Sequence, residues 1–190
     1  LFIENRQTDY RNRSIMNNVS LSDGLIRLRA PEPEDLDVLY SIENDTALWV
    51  VSGNAIPYSR YQLKKYIMES THDFYTDRQI RFMIVRESDD QVLGCIDLTD
   101  IDPFNSRAEV GVALLPAFRG QGVASAALTL ISDYSSDVLR LHQLFCQIPS
   151  NNGECIRLFE KNGFTESGRF KDWLINKNLY LDVILMQKIF

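Results

Sequence analysis

Val110-Gly-Val-Ala-Leu-Leu-Pro-Ala-Phe-Arg-Gly-Gln-Gly-Val-Ala-Ser125 is the stretch on which the fold turns. It reads as a buried strand, a short glycine-rich turn and the start of an apolar helix. Gly120 and Gly122 bracket Gln121, so backbone N–H groups can approach a ligand with no Cβ in the way. The helix that follows adds its free N–H groups and the positive end of its dipole, which together make a phosphate cradle. No Lys-Ser/Thr pair follows the second glycine, so this is not a nucleoside-triphosphate loop. Ala124 and Ser125 follow Gly122 without a third glycine, which sets aside the dinucleotide fingerprint. Two glycines at a strand–helix junction also fit plain turn chemistry, and the stretch alone leaves both readings open.

Working outward, Val123, Ala127, Leu130, Ile131, Tyr134 and Val138 keep helical spacing after the turn. Ile80–Arg86 and Val92–Thr99 read as a hairpin, and Ala108–Leu115 as the strand that feeds the turn. Leu144–Ile148 is a short apolar strand ending at Pro149. Ser150-Asn-Asn-Gly153 then introduces a helix to about Lys161, which Asn162-Gly163 stops. Phe164–Phe170 and Leu179–Ile189 are the last two strands, with a turn near Asn176-Lys177-Asn178. At the other end, Leu25–Ala30 alternates as a first strand, and Pro31-Glu-Pro-Glu-Asp35 opens a helix. The pattern breaks around Trp49–Pro57. Ser59 and Gln62 then form a capping box for a helix whose Leu63, Tyr66, Ile67 and Phe74 share a face. Strands that first alternate with helices and then end in a hairpin specify an α/β domain with a mixed sheet.

At 190 residues the chain is long enough for one full core. Residues 23–190 are expected to form that single domain, and the polar, aperiodic residues 1–22 an N-terminal extension. Met16 is a natural start within it, the residues before it then being a leader. A net charge of −6 argues against a protein built mainly to grip nucleic acid, which needs a basic face. Cys95, Cys146 and Cys155 are odd in number and carry no C-x-x-C spacing, so they read as reduced thiols. No apolar run approaches bilayer length, and no signal-peptide core opens the chain. The expectation is a cytoplasmic protein without a membrane or nucleic-acid partner.

The full string Leu115-Pro-Ala-Phe-Arg-Gly-Gln-Gly-Val-Ala124 resembles the acetyl-coenzyme A signature Q/R-x-x-G-x-G/A of the GNAT superfamily of N-acetyltransferases. Arg119, Gly122 and Ala124 stand at its defining positions. Asn152 followed by Cys155-Ile-Arg-Leu-Phe-Glu-Lys-Asn-Gly-Phe164 is similar to that family's downstream segment. Ile26–Leu36 is similar to its opening strand and helix. Trp173, Asn176, Tyr180 and Asp182 resemble the closing hairpin of the RimL-like branch, which includes ribosomal-protein and spermidine acetyltransferases. The resemblance runs from about Leu25 to Lys188.

What it implies is a mixed, mostly antiparallel sheet splayed between its fourth and fifth strands and flanked by about four helices. The pantetheine arm of acetyl-CoA would lie in the split against Ala113, Leu114 and Leu115. Its pyrophosphate would rest on Arg119, Gly120, Gln121, Gly122, Val123 and Ala124, with Asn152 and Phe159 at the cofactor from the next helix. The acceptor would be an amine-bearing small molecule or a peptide N-terminus, attacking directly in a ternary complex, and a homodimer is an expected assembly.

Amine acetylation needs a base, because a primary ammonium of pKa ~10.4 is almost fully protonated at neutral pH. Glu109 on the motif strand is the first candidate; the alternative is a solvent-facing charge at a strand entrance. The family's usual acid is a tyrosine where this chain has Phe159, and a phenyl ring donates no proton. Cys155, one helical turn earlier, is a substitute donor or else an inert buried thiol. Tyr180 lines the acceptor side or packs at a strand rim. Glu43, Asp45 and Trp49 fall where the family builds its acceptor pocket, or in a solvated loop. His72 and His142 stand apart from other ligand types and receive no role, and no metal site is expected. A non-catalytic acyl-CoA sensor on the same fold is the alternative function that Phe159 favours.

Overall fold

The structure, a computed structural model, describes residues 20–52, 56–69, 74–176 and 178–190. The first nineteen residues, His72 and Lys177 of the expected final turn lie outside the described residues. Seven strands form one sheet: β1 (Ile26–Arg29), β2 (Ile80–Arg86), β3 (Val92–Asp102), β4 (Arg107–Leu114), β5 (Gln143–Pro149), β6 (Thr165–Asn176) and β7 (Leu179–Ile189). Their spatial order is β1-β2-β3-β4-β5-β7-β6. Every neighbouring pair is antiparallel except β4 and β5.

Among the described residues there are six α-helices, not about four: α1 (Leu36–Glu43), α2 (Thr46–Ser52), α3 (Arg60–Glu69), α4 (Phe74–Asp77), α5 (Val123–Asp137) and α6 (Gly153–Lys161). Residues 49–52 of the expected break are the end of the short helix α2, whose start is marked by the Asp45 carboxylate accepting from the Ala47 N–H at 3.0 Å, and residues 53–55 lie outside the described residues. Phe74 begins a helix of its own instead of extending α3. The Ser59–Gln62 box forms in both directions, with bonds of 2.8 and 3.1 Å, and starts α3. Gly163 at φ +87° ends α6, its N–H donating to the Glu160 carbonyl.

Period-two alternation divides the core between the two sheet faces. On one face Phe82, Ile84, Ile96, Leu98 and Val110 pack with Ala127, Leu128 and Ile131 of α5 and with Phe159 of α6. On the other, Met83, Val85 and Cys95 pack with Leu39 and Ile42 of α1. Arg81 and Asp97 share the α1 side, at positions where the alternation would otherwise bury apolar groups.

Candidate active site

The split is built by an incomplete strand pairing. β4 and β5 pair only over Arg107–Glu109 with Gln143–Phe145. Beyond that vertex β5 stays with β7 as far as Pro149, and β4 stays with β3 as far as Leu114. The Leu115 N–H donates to the Leu93 carbonyl at 2.9 Å. By strand alternation, the backbone groups of Val110, Val112 and Leu114 therefore turn toward the split. The Leu114 carbonyl there accepts from Arg119 Nε at 3.0 Å.

β4 continues through Leu115 into the glycine turn. Gly120 and Gly122 have φ of +73° and +83°, left-handed values that glycine adopts without strain, and nothing lies within 4 Å of where a Cβ would stand. Gly122 is the N-cap of α5 and supplies no side-chain cap. The first amide with a helical acceptor is that of Ala126, which donates to the Gly122 carbonyl at 3.1 Å. The amides before it are left to a ligand at the positive helix end. This open, amide-lined turn fits a pyrophosphate. Arg119, half exposed, spans from the Leu114 carbonyl to Asp45 at 3.9 Å, so its side chain links the turn to the start of α2.

Below the split lies a cavity of about 470 Å³ whose lining includes Glu43, Arg81, Asp97, Glu109 and Gln147. Gly111 and Ala113 of β4 form part of its wall, and a Cβ on Gly111 would meet nothing within 4 Å. Glu109 stands at the vertex, the last β4 residue paired with β5. Burial, aided by the nearby Asp100 carboxylate, raises its pKa, while hydrogen bonding from Gln147 pulls the other way. Such a carboxylate is a better proton acceptor than an exposed one.

On the same wall Arg81 and Asp97 are direct cross-strand partners and bond bidentately, Nε to Oδ1 at 2.8 Å and Nη2 to Oδ2 at 2.7 Å. Arg81 Nη1 also donates to Glu43 Oε1 at 2.5 Å. Burial works against the Arg81 charge, but Asp97 outweighs it and holds the guanidinium pKa well above its ordinary value. Trp49 Nε1 donates to the Glu43 carbonyl at 2.8 Å and fixes the end of α1.

Of the residues singled out from sequence, Glu109 and Ala113 meet at the cavity, with Glu43 facing them. Asn152 is the N-cap of α6, its side-chain oxygen accepting from the Cys155 N–H at 3.2 Å. One expectation is corrected, and two further residues stand apart from the cavity. Phe159 is buried in the core, edge-to-face with Phe164 at 4.9 Å, and offers the cofactor no surface. Cys155 packs half-buried against the same core, where burial pushes its thiol up to about 11, and it is not among the residues lining the cavity. Tyr180 is 64% exposed on the β6–β7 hairpin, paired with Ile175, and also stands outside that lining.

Sequence reading passed over Arg81, Asp97, Gly111 and Gln147. The available signal was a charge inside an apolar alternation, in Ile80-Arg-Phe-Met-Ile84 and Cys95-Ile-Asp-Leu98. A charged residue at an inward strand position costs free energy unless it is paired or used.

The sheet is parted at its one parallel pair, with an amide-lined turn along one strand and carboxylates under the gap. The chain belongs to the acetyltransferase (GNAT) family, whose domain model matches residues 26–165. It is an N-acetyltransferase with acetyl-CoA as cosubstrate.

Its relatives include the spermidine N(1)-acetyltransferase of Escherichia coli strain K12, 27% identical over 165 residues, which are 85% of this chain and 84% of that one. The ribosomal-protein-serine acetyltransferase of the same strain is 34% identical over 110 residues, 57% of this chain and 59% of that one. Among solved structures, spermidine N-acetyltransferase from Vibrio cholerae in complex with CoA and spermine superposes with a TM-score of 0.79. It is 24% identical, and the match covers 88% of this chain and 96% of that one. That likeness establishes the fold. No helix of the described residues is long and apolar enough to cross a membrane.

Proposed function

We propose that the chain acetylates a primary amine of an aliphatic polyamine by direct attack in a ternary complex. The observation that carries this is the charge of the cavity: among the described residues lining it, Glu43, Asp97 and Glu109 stand against one cation, Arg81. Spermidine acetyltransferases stand among the relatives, and the cavity chemistry supports the same substrate class.

Acetyl-CoA, when bound, supplies an acetyl thioester with a thiolate leaving group. The amides of residues 120–124 hold its pyrophosphate, and the backbone of β4 around Ala113–Leu115 aligns its arm in the split. Asn152 faces the donor with the amide nitrogen left over from capping. Glu109 takes the proton of the attacking ammonium, directly or through one water. A β4 amide turned to the split polarises the acyl carbonyl. A thiolate of pKa ~8.5 leaves with little acid help. Phe159 in place of a tyrosine is therefore compatible with turnover, which removes the ground for a non-catalytic sensor.

Residues 23–190 form, on this reading, one catalytic domain. The buried thiols Cys95 and Cys146 support a reducing cytoplasm as its location. The test is thiol release from acetyl-CoA over a panel of polyamines, monoamines, amino acids and peptide N-termini, with products identified by mass. Polyamines should give the highest kcat/KM; turnover confined to peptides would overturn the proposal.

A further inference from the structure

Beside Glu109, the cavity wall carries three linked charged groups, and they are unequally satisfied. Their side chains are 19% (Arg81), 18% (Glu43) and 20% (Asp97) exposed, so each is largely removed from water yet open to the cavity. Asp97 uses both oxygens on the Arg81 fork. Among the described residues, Glu43 is bonded through Oε1 only. Tyr66 lies against the guanidinium, its ring centroid 5.6 Å from Cζ, which limits how the fork can turn. Glu43 is also the last residue of α1, an element separate from the sheet that carries Arg81 and Asp97. The guanidinium thus tethers the end of a helix to the cavity wall through one carboxylate oxygen.

We infer that Glu43 Oε2 is the subsite for the acceptor's second ammonium, and that Arg81, clamped by Asp97, is the positioning residue that presents it. This rests on the polyamine reading and assigns a residue to its discrimination step. Glu109 serves the reacting nitrogen, Asp97 is consumed by Arg81, and Glu43 alone on this wall keeps an oxygen for a ligand cation. An acceptor with one ammonium leaves that oxygen unused. One with two fills it, and the charge-assisted bond forms in a site largely shielded from water, where such bonds are strong.

The experiment compares kcat/KM for an α,ω-diamine and the n-alkylamine of equal chain length, in the wild type, Glu43→Gln and Arg81→Lys. Calorimetric binding of the same two amines to the free protein accompanies it. The wild type should favour the diamine by roughly tenfold or more, as one charged hydrogen bond warrants. Glu43→Gln keeps the shape and removes the charge, and should bring the ratio toward one in both readouts. Arg81→Lys keeps the net charge but loses the planar fork, so a several-fold fall in the ratio there reports positioning and not charge.

A diamine preference that survives intact in both folded variants overturns the subsite. Should Arg81→Lys fail to fold, Glu43→Gln alone decides. A wild type indifferent to the second ammonium overturns the polyamine reading itself, and the two failures are told apart by that control.

Discussion

Two requirements meet at Glu109 and oppose each other. As a base it must be ionised, yet burial raises its pKa above the ordinary carboxyl value. A group whose folded pKa lies above its unfolded one stabilises the fold below the unfolded pKa. That contribution is lost as pH rises through the folded pKa. In its ionised form Glu109 is therefore a net cost to the fold, retained for function. Glu109→Gln should raise the melting temperature at pH 7–8 and lower kcat by about 10²–10⁴-fold, the usual range for a lost general base. In the wild type kcat/KM should fall as pH drops through the raised pKa, and the variant should lack that limb. A variant with full turnover would move the base elsewhere. At Gly122, substitution by Glu adds left-handed strain of about 1–2 kcal/mol and sets a carboxylate in the cradle. The folded variant should show no CoA binding by calorimetry; unchanged affinity would place the pyrophosphate elsewhere. The glycines were readable in sequence because only a special backbone calls for them at that spacing. Arg81 and Asp97 were not, since a lone charge in a strand looks solvent-facing until its cross-strand partner is known.

The split depends on how closely β3 and β4 approach where they remain paired. A Cβ on Gly94 would stand 2.1 Å from the Ala113 carbonyl oxygen and 2.8 Å from the Leu114 Cα, both backbone atoms that cannot turn aside. Gly94→Ala should therefore push β4 off β3 at the residues expected to align the pantetheine arm. The expected loss is about 1–3 kcal/mol of stability by denaturant titration, with weaker CoA binding; a neutral result in both would show that the strands have slack. Helix α6 offers a cleaner separation of structure from binding. Asn152→Ala removes the N-cap and should cost about 1 kcal/mol, whereas Asn152→Asp keeps it. If the side chain also contacts the cofactor, CoA affinity falls in both variants while stability falls only in the first. Most elements were legible from apolar period and caps, as the Ser59–Gln62 box shows. α2 was not, because Leu48-Trp-Val-Val51 is rich in residues that favour strands and gives no helical stripe. β6 runs on to Asn176, beyond the expected Phe170, because an edge strand exposed along most of its length carries no alternation to read.

Over the whole molecule, the net charge of −6 and the acidic cavity act in the same direction. From sequence the charge only argued against nucleic acid; which face it serves becomes visible once β2, β3 and β4 bring Arg81, Asp97 and Glu109 to one wall. A cationic acceptor is then drawn toward the protein before it touches the wall, and a cavity with low-dielectric sides concentrates that attraction. Salt should weaken the long-range part, since the Debye length falls from about 30 Å at 0.01 M to about 8 Å at 0.15 M ionic strength. The contact inside the largely shielded site should be screened much less. The kcat/KM of a diamine should therefore drop several-fold over that range, more than for a monoamine of equal length, because the steering attraction scales with acceptor charge. At saturating acceptor, kcat should stay nearly constant, since proton removal by Glu109 occurs after the acceptor is seated. Stopped-flow or steady-state thiol release across a salt series measures both quantities. If kcat/KM is flat for diamine and monoamine alike, the global charge plays no part in acceptor capture, and recognition rests on the cavity contacts alone.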